Sequence, residues 1–224
     1  MKKLFSLLWL CLCLTACTPK VTPVDIDTAK YLATKDIIKN WNDEPEKYPW
    51  NEKITRVEVV DMALAMADVK KNKTCRGDFI DIPKTDIEAC RTMESAVDHG
   101  IISAQKDTAP EKKKARPNDE IIRAEALAIL MKTFEDDGAW AGYSYYYSAN
   151  LPWDGHESGY RDIYYYGAEW QAEVFYAYVR KILHDDTQLH VNPWATVKAT
   201  RRDVLEFAKN IMLYKEKQTH NITQ

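Results

Sequence analysis

Ile54-Thr55-Arg56-Val57-Glu58, Ile121-Ile122-Arg123-Ala124-Glu125 and Ala199-Thr200-Arg201-Arg202-Asp203 are three versions of one pentapeptide, and their recurrence decides how this chain is read. Each opens an apolar stretch at helical spacing. Val57, Val60, Leu64 and Ala67 follow the first; Leu127, Ala128, Leu130, Met131 and Phe134 the second; Val204, Leu205, Ala208, Ile211 and Met212 the third. Residues three and four apart share one face of a helix, so all three stretches read as core-facing helices. Self-similarity of this kind sets an architecture more firmly than local propensity does.

The spacing inside the pentapeptide has a physical reason. A threonine at the N-cap accepts a bond from the backbone N–H three residues on, and an acidic side chain there reaches back to the cap. Thr55 with Glu58 and Thr200 with Asp203 fit this capping box. The middle copy carries Ile122 in place of the threonine, so its cap is expected from Asn118 or Asp119.

A second block precedes two of the helices. Phe79-Ile80-Asp81-Ile82 leads the middle copy, with Asp81 42 residues before Arg123, and Tyr160-Arg161-Asp162-Ile163 leads the last, with Asp162 39 residues before Arg201. Each is followed by another helical pattern. The first runs from Asp86 to His99, with Ile87, Cys90, Met93 and Val97 on one face; the second runs from Gly167 to Leu183, with Phe175, Tyr178, Val179 and Ile182. The first copy is compressed. Its leading helix is expected over Thr28 to Trp41, and Pro49-Trp50-Asn51 stands where the middle copy has Arg116-Pro117-Asn118.

Helix, turn, proline-asparagine loop and a second helix opening on Thr-Arg-Ala-Glu resemble the S-layer homology (SLH) family. The strongest likeness runs from Val97 to Phe134 and includes Gly100-Ile101-Ile102-Ser103, Arg116-Pro117-Asn118-Asp119 and Arg123-Ala124-Glu125-Ala126. The resemblance implies a mainly α fold of three helix-loop-helix repeats in a pseudo-threefold arrangement, with grooves between repeats that bind cell-wall polysaccharide or peptidoglycan. The repeats span 25–70, 79–135 and 160–214, with an aromatic-rich connection at 136–159 and a polar tail at 215–224. Two departures from the family pattern stand out. Ala104 to Ala115 lacks the glycine-rich turn and carries Lys112, Lys113 and Lys114, and Lys181-Ile182-Leu183 replaces the Gly-Ile-Ile element.

The start of the chain adds a location. Lys2 and Lys3 precede an apolar run from Leu4 to Ala16, too short to cross a bilayer. It ends in Leu14-Thr15-Ala16-Cys17, which resembles a lipobox, so residues 1–16 are expected to be a signal peptide and Cys17 the acylated first residue of a short tether, 17–24. The alternative is an ordinary secretory signal with a chance cysteine. With Lys2 and Lys3 removed, the formal net charge of −3 becomes about −5, which gives no electrostatic footprint for nucleic acid. Of the remaining cysteines, Cys75 and Cys90 form an even pair in an exported chain; a disulfide is expected, two free thiols being the alternative.

Arg56, Arg123 and Arg201 recur just inside helix N-termini, where the dipole disfavours positive charge. Two explanations compete. Each guanidinium forks onto an anion of the wall polymer, with Asp81, Asp162, Arg116 and Asn118 completing the ligand-binding set, or each forms a structural ion pair with a carboxylate such as Asp81 or Asp162. The aromatics between Asp136 and Gly167 suit sugar stacking, but their lack of periodicity favours packing onto the helices. His184 and His190 with Asp185 and Asp186 read as a helix-end turn rather than a metal site, and no cofactor is implied. No zinc-protease, phosphate-loop or nucleophile-elbow pattern is present, and three repeats leave no room for a catalytic domain. The expectation is therefore a non-catalytic, membrane-anchored envelope lipoprotein that tethers wall polymer to a membrane. A scaffold for another envelope protein is the alternative.

Overall fold

The computed structural model describes residues 21–38, 44–103, 105–106, 113–133, 177, 182–183 and 197–222. The signal peptide, Cys17, the block around Asp162, the aromatic-rich connection, the Lys112 position, and His184 and His190 lie outside the described residues. What is described is mainly helical: α1 (Pro23–Thr34), α2 (Arg56–Met66), α3 (Ile87–Asp98), α4 (Arg123–Met131) and α5 (Arg201–Ile222). A short 3-10 turn covers Pro45–Lys47. Gln105–Lys106 (β1) pairs antiparallel with Lys113–Lys114 (β2), in the segment that lacks the glycine-rich turn. No helix among the described residues is long and apolar enough to cross a membrane.

The three repeated pentapeptides form the centre. The N–H of Ile54 donates to the carbonyl of Ala199 at 3.2 Å, that of Ala199 to Ile121 at 2.8 Å, and that of Ile121 to Ile54 at 3.3 Å. This is a closed cycle of backbone bonds between segments far apart in sequence. All three residues are buried, so each bond replaces one that water would otherwise supply, and leaving any of them unmade would cost about 1–3 kcal/mol. From this centre α2, α4 and α5 run outward, α4 packing on both others. Leu64, Leu127, Leu130, Leu205 and Ile211 fill the space between them and are at most 1% exposed. Val57, Ala67 and Met212, read as core positions, pack at its edge and are only partly buried.

The caps explain where the helices begin. Thr55 gives both its N–H and its hydroxyl to Glu58, at 2.8 and 2.7 Å, and Thr200 does the same to Asp203, both at 2.8 Å. The expected side-chain cap on α4 is absent. Instead the N–H of Arg123 donates to the carbonyl of Val197 at 2.9 Å, and Asp119 serves a different helix: its carbonyl accepts from the N–H of Arg56. The first-turn arginine N–H finds a neighbouring carbonyl in all three copies, so α4 keeps this cross-segment bond and lacks only the side-chain cap that the threonine supplies in the other two.

The leading helix of the first copy lies earlier than expected, at Pro23–Thr34 rather than Thr28 to Trp41. Thr22 and Asp25 make a capping box with Pro23 in the first turn, and the helix ends at Lys35. Its exit is informative. Asp36 has φ +57°, and the N–H of Ile37 donates to Leu32 at 3.0 Å. Gly100 has φ +69°, with Ile101 donating to Ala96 at 2.8 Å, and Ile182 donates to Ala177 at 2.8 Å. The turns at Asp36 and Gly100 are the same Schellman turn, Ile182 repeats its six-to-one bond, and the two apolar residues that follow are buried in each case. The Gly-Ile-Ile element therefore survives as Asp36-Ile37-Ile38 in the first copy, and in the last copy the N–H groups of Ile182 and Leu183 both donate to Ala177, as those of Ile101 and Ile102 do to Ala96.

On α3 the buried face is Ala89, Cys90, Met93 and Ala96; Ile87, at the first position, is 56% exposed instead of facing the core. The stretch read as a polar tail from residue 215 continues α5 to Ile222, and Glu216 pairs with Lys35 at 2.7 Å.

The Cys75–Cys90 disulfide is formed, with the Cα atoms 5.6 Å apart. It staples the 71–78 loop to α3 beside Glu94, which is fully buried. One Glu94 oxygen accepts from the N–H of Arg76 at 2.8 Å and the other from that of Asp78 at 3.0 Å. Arg76 also forks onto Asp98 at 2.8 and 2.9 Å, which holds that carboxyl down at about 2 with a further bond from Asn72.

Candidate functional site

At each junction between α2, α4 and α5 an arginine reaches across to the neighbouring helix. Arg56 pairs with Glu125, Arg123 with Asp203 at 3.1 Å, and Arg201 with Glu58. The order is cyclic, as in the backbone ring. All six side chains are partly buried, the arginines being 16%, 19% and 22% exposed, so each pair sits in a seam that solvent still reaches.

The carboxylates have two tasks. In Glu58 and Asp203 one oxygen caps the residue's own helix while the other holds the arginine of a neighbour. Burial pushes the Glu58 carboxyl up, but bonds from Thr55 and from Arg201 outweigh that and leave it below the usual carboxylate range. The acid stands two residues after the arginine in every copy, and the middle copy keeps it although Ile122 has no hydroxyl to cap. That retained Glu125 is the signal for the pairing, and reading the acids as caps alone passes over it.

The arginine partners are thus Glu125, Asp203 and Glu58, not Asp81. Asp81 instead accepts from the N–H groups of Ala115 and Arg116, at 2.9 and 2.7 Å. These bonds fix the turn at Arg116, whose φ is +55°. The loop so held presents the carbonyls of Pro117 and Asp119 to the N–H groups of Val57 and Arg56, both at 2.9 Å. Asp81 therefore acts on the Arg56 seam through the backbone. Arg116 itself is exposed and pairs locally with Asp119 at 2.6 Å, and Asn118 is exposed on the same loop. Asp162 lies outside the described residues.

The Pro49-Trp50-Asn51 loop does for α5 what Arg116-Pro117-Asn118 does for α2. The Trp50 carbonyl accepts from Arg202 at 2.9 Å and that of Glu52 from Arg201 at 3.0 Å. Trp50 is buried, its indole N–H bonded to the Pro45 carbonyl at 2.7 Å. Tyr48, absent from the residues picked out of the sequence, packs against it with ring centroids 4.8 Å apart and turns its hydroxyl to the Arg201 guanidinium. Burial pushes the Tyr48 phenol up, with Arg201 opposing, so the ring stays neutral at any physiological pH.

No family model matches the chain. An amylopullulanase of Thermoanaerobacterium thermosulfurigenes is 34% identical to it over 109 residues, which are 49% of this chain and 5% of that protein. Exoglucanase XynX of Acetivibrio thermocellus is 30% identical over 109 residues, 49% of this chain and 9% of that protein. The likeness thus takes in about half of the chain and less than a tenth of either relative.

Proposed function

We propose that this chain is a non-catalytic, lipid-anchored envelope protein whose three SLH-like repeats hold cell-wall polysaccharide or peptidoglycan in the seams between them. The observation that carries the reading is the closed cycle of arginine–carboxylate pairs, which puts a solvent-reached, hydrogen-bonding seam at each junction. The relatives support it. Both are named as polysaccharide-acting enzymes, and the stretch they share with this chain is 5% and 9% of their lengths, the scale of an accessory module. A guanidinium has five N–H donors, so an arginine engaged with a carboxylate keeps donors for a ligand. Arg56, Arg123 and Arg201 are the binding residues in this reading; Arg116 and Asn118 flank one seam, Asp81 positions the loop that carries them, and Asp162 is assigned the same task in the last copy. Cys17, acylated, would fix the other end to a membrane.

The test is co-sedimentation of purified mature protein with protein-stripped wall sacculi, before and after chemical removal of the attached polysaccharide. Binding lost on removal identifies the polysaccharide, and binding retained identifies peptidoglycan. No binding to either sinks the reading and leaves the protein-scaffold alternative ahead. For the anchor, Cys17→Ala should abolish partition of the processed protein into detergent; wild-type protein without an acyl mass would remove the membrane from the scheme.

A further inference from the structure

The seams differ at one register of the loops that border them. The carbonyls that cap Arg201, Arg56 and Arg123 belong to Glu52, Asp119 and Val197. Four residues before each of these stand Tyr48, Ala115 and Pro193. Ala115 is buried and offers only a methyl group, and Pro193 lies outside the described residues but carries no hydroxyl and no aromatic ring. Among the described residues at this register, Tyr48 is the one that brings an aromatic ring to a seam. One side of that ring leans on buried Trp50, the residue as a whole is half-buried, and its hydroxyl meets Arg201 beside Glu58.

We infer that the Arg201–Glu58 seam is the one that discriminates among saccharides, with Tyr48 as its specificity-determining residue and an uncharged sugar ring as its ligand. The inference rests on the wall-binding reading above. A partly exposed aromatic ring presents an apolar surface to the C–H face of a pyranose, and its phenol gives a polar handle at the rim. Next to it, Arg201 supplies donors and Glu58 an acceptor, the pairing that vicinal sugar hydroxyls require. Charge balance in the seam selects the ligand class. Arg201 is already neutralised by Glu58, so an incoming carboxylate or phosphate would meet a balanced ion pair and compete with Glu58, whereas neutral hydroxyls can bond to both.

The discriminating experiment measures sedimentation of the mature protein with polysaccharide-bearing sacculi for wild type, Tyr48→Phe, Tyr48→Leu and Arg123→Ala, over a salt series. Leucine keeps apolar packing against Trp50 while removing the aromatic platform, so loss of binding in a variant that melts like wild type is not a folding effect. Tyr48→Leu is expected to weaken binding about tenfold, Tyr48→Phe to retain most of it, and wild-type binding to change little between low and high salt. Wild-type binding with Tyr48→Leu unaffected and Arg123→Ala weakened would overturn the assignment of this seam while leaving the wall-binding reading intact. Binding that collapses with salt would overturn the neutral-sugar class. A wild-type protein that does not bind at all would remove both readings together.

Discussion

The centre of the molecule and the 71–78 loop are both tightly held, but by opposite means. In the centre, three distant segments satisfy one another through main-chain bonds in a cycle, and the same ion pair is made three times. The loop is held once, by side chains with no counterpart elsewhere among the described residues: a disulfide, the buried Glu94 carboxylate gathering two backbone N–H groups, and Arg76 forked onto Asp98. Repetition gives the centre redundancy. The loop has none, so it should be the more fragile region and should fail independently.

The largest expected effect separates the two directly. Replacing Cys75 and Cys90 together by serine releases a crosslink between residues 15 apart, worth about 3 kcal/mol in the chain-entropy model. Denaturant unfolding checks the magnitude and amide exchange the location: the N–H groups of Asn72, Arg76 and Asp78 should lose protection well before those of Ile54, Ile121 and Ala199. Simultaneous loss would show that loop and centre are one cooperative unit.

Next, Arg123→Ala opens one link of the cycle. The pair is only partly buried, so the cost falls between the surface and buried extremes, about 1–3 kcal/mol. Asp203→Ala should cost more, because it removes the cap on Thr200 as well. A double-mutant cycle that gives no coupling between the two would mean that the repeated pair contributes nothing to holding the centre.

A smaller effect tests the turns that end the leading helices. Asp36 is exposed at φ +57°, where Gly100 occupies the equivalent place with φ +69°. Asp36→Gly should raise stability by about 0.5 kcal/mol and Gly100→Ala should lower it by about 1 kcal/mol, since a Cβ at Gly100 meets no atom and the penalty is conformational alone. Thermal melts of the two variants moving in the same direction would contradict the equivalence of the turns.

Acid should act on both regions, with no effect near neutrality. Glu58 in the centre and Asp98 under the loop are both held below their ordinary values, Asp98 at about 2. Depressed carboxylates stabilise the fold fully above the unfolded value near 4, and that contribution is lost as pH falls through the folded value. Stability should therefore decline between about pH 4 and 2, and Glu58→Gln should flatten part of that decline. An unchanged slope would take Glu58 out of the acid response.

How far the sequence reveals these regions follows the same division. The central helices are legible because their apolar positions are periodic and their caps lie three residues apart, so every partner is local. The arginine partners are harder, because an acid two positions along serves a neighbour 69 to 143 residues away. Glu94 is invisible: its polarity, on a helix whose apolar positions are read as Cys90, Met93 and Val97, suggests a solvent-facing residue, whereas a folded-back loop covers it completely. Asp36-Ile37-Ile38 is masked by the absence of glycine, although aspartate tolerates the left-handed turn. Tyr48 belongs to a loop with no periodicity to mark which side of it faces a helix.

The backbone cycle also dictates an order of events. Ile54 can meet Ile121 early, but its N–H has no partner until Ala199 arrives, 145 residues later in the chain. The last helix is thus the piece that completes the centre, and a contact of such long range forms only after the entropy of closing the intervening loop has been met. A polypeptide emerging from its amino end stays open until nearly all of it is available, and is correspondingly easy to hold extended up to that moment.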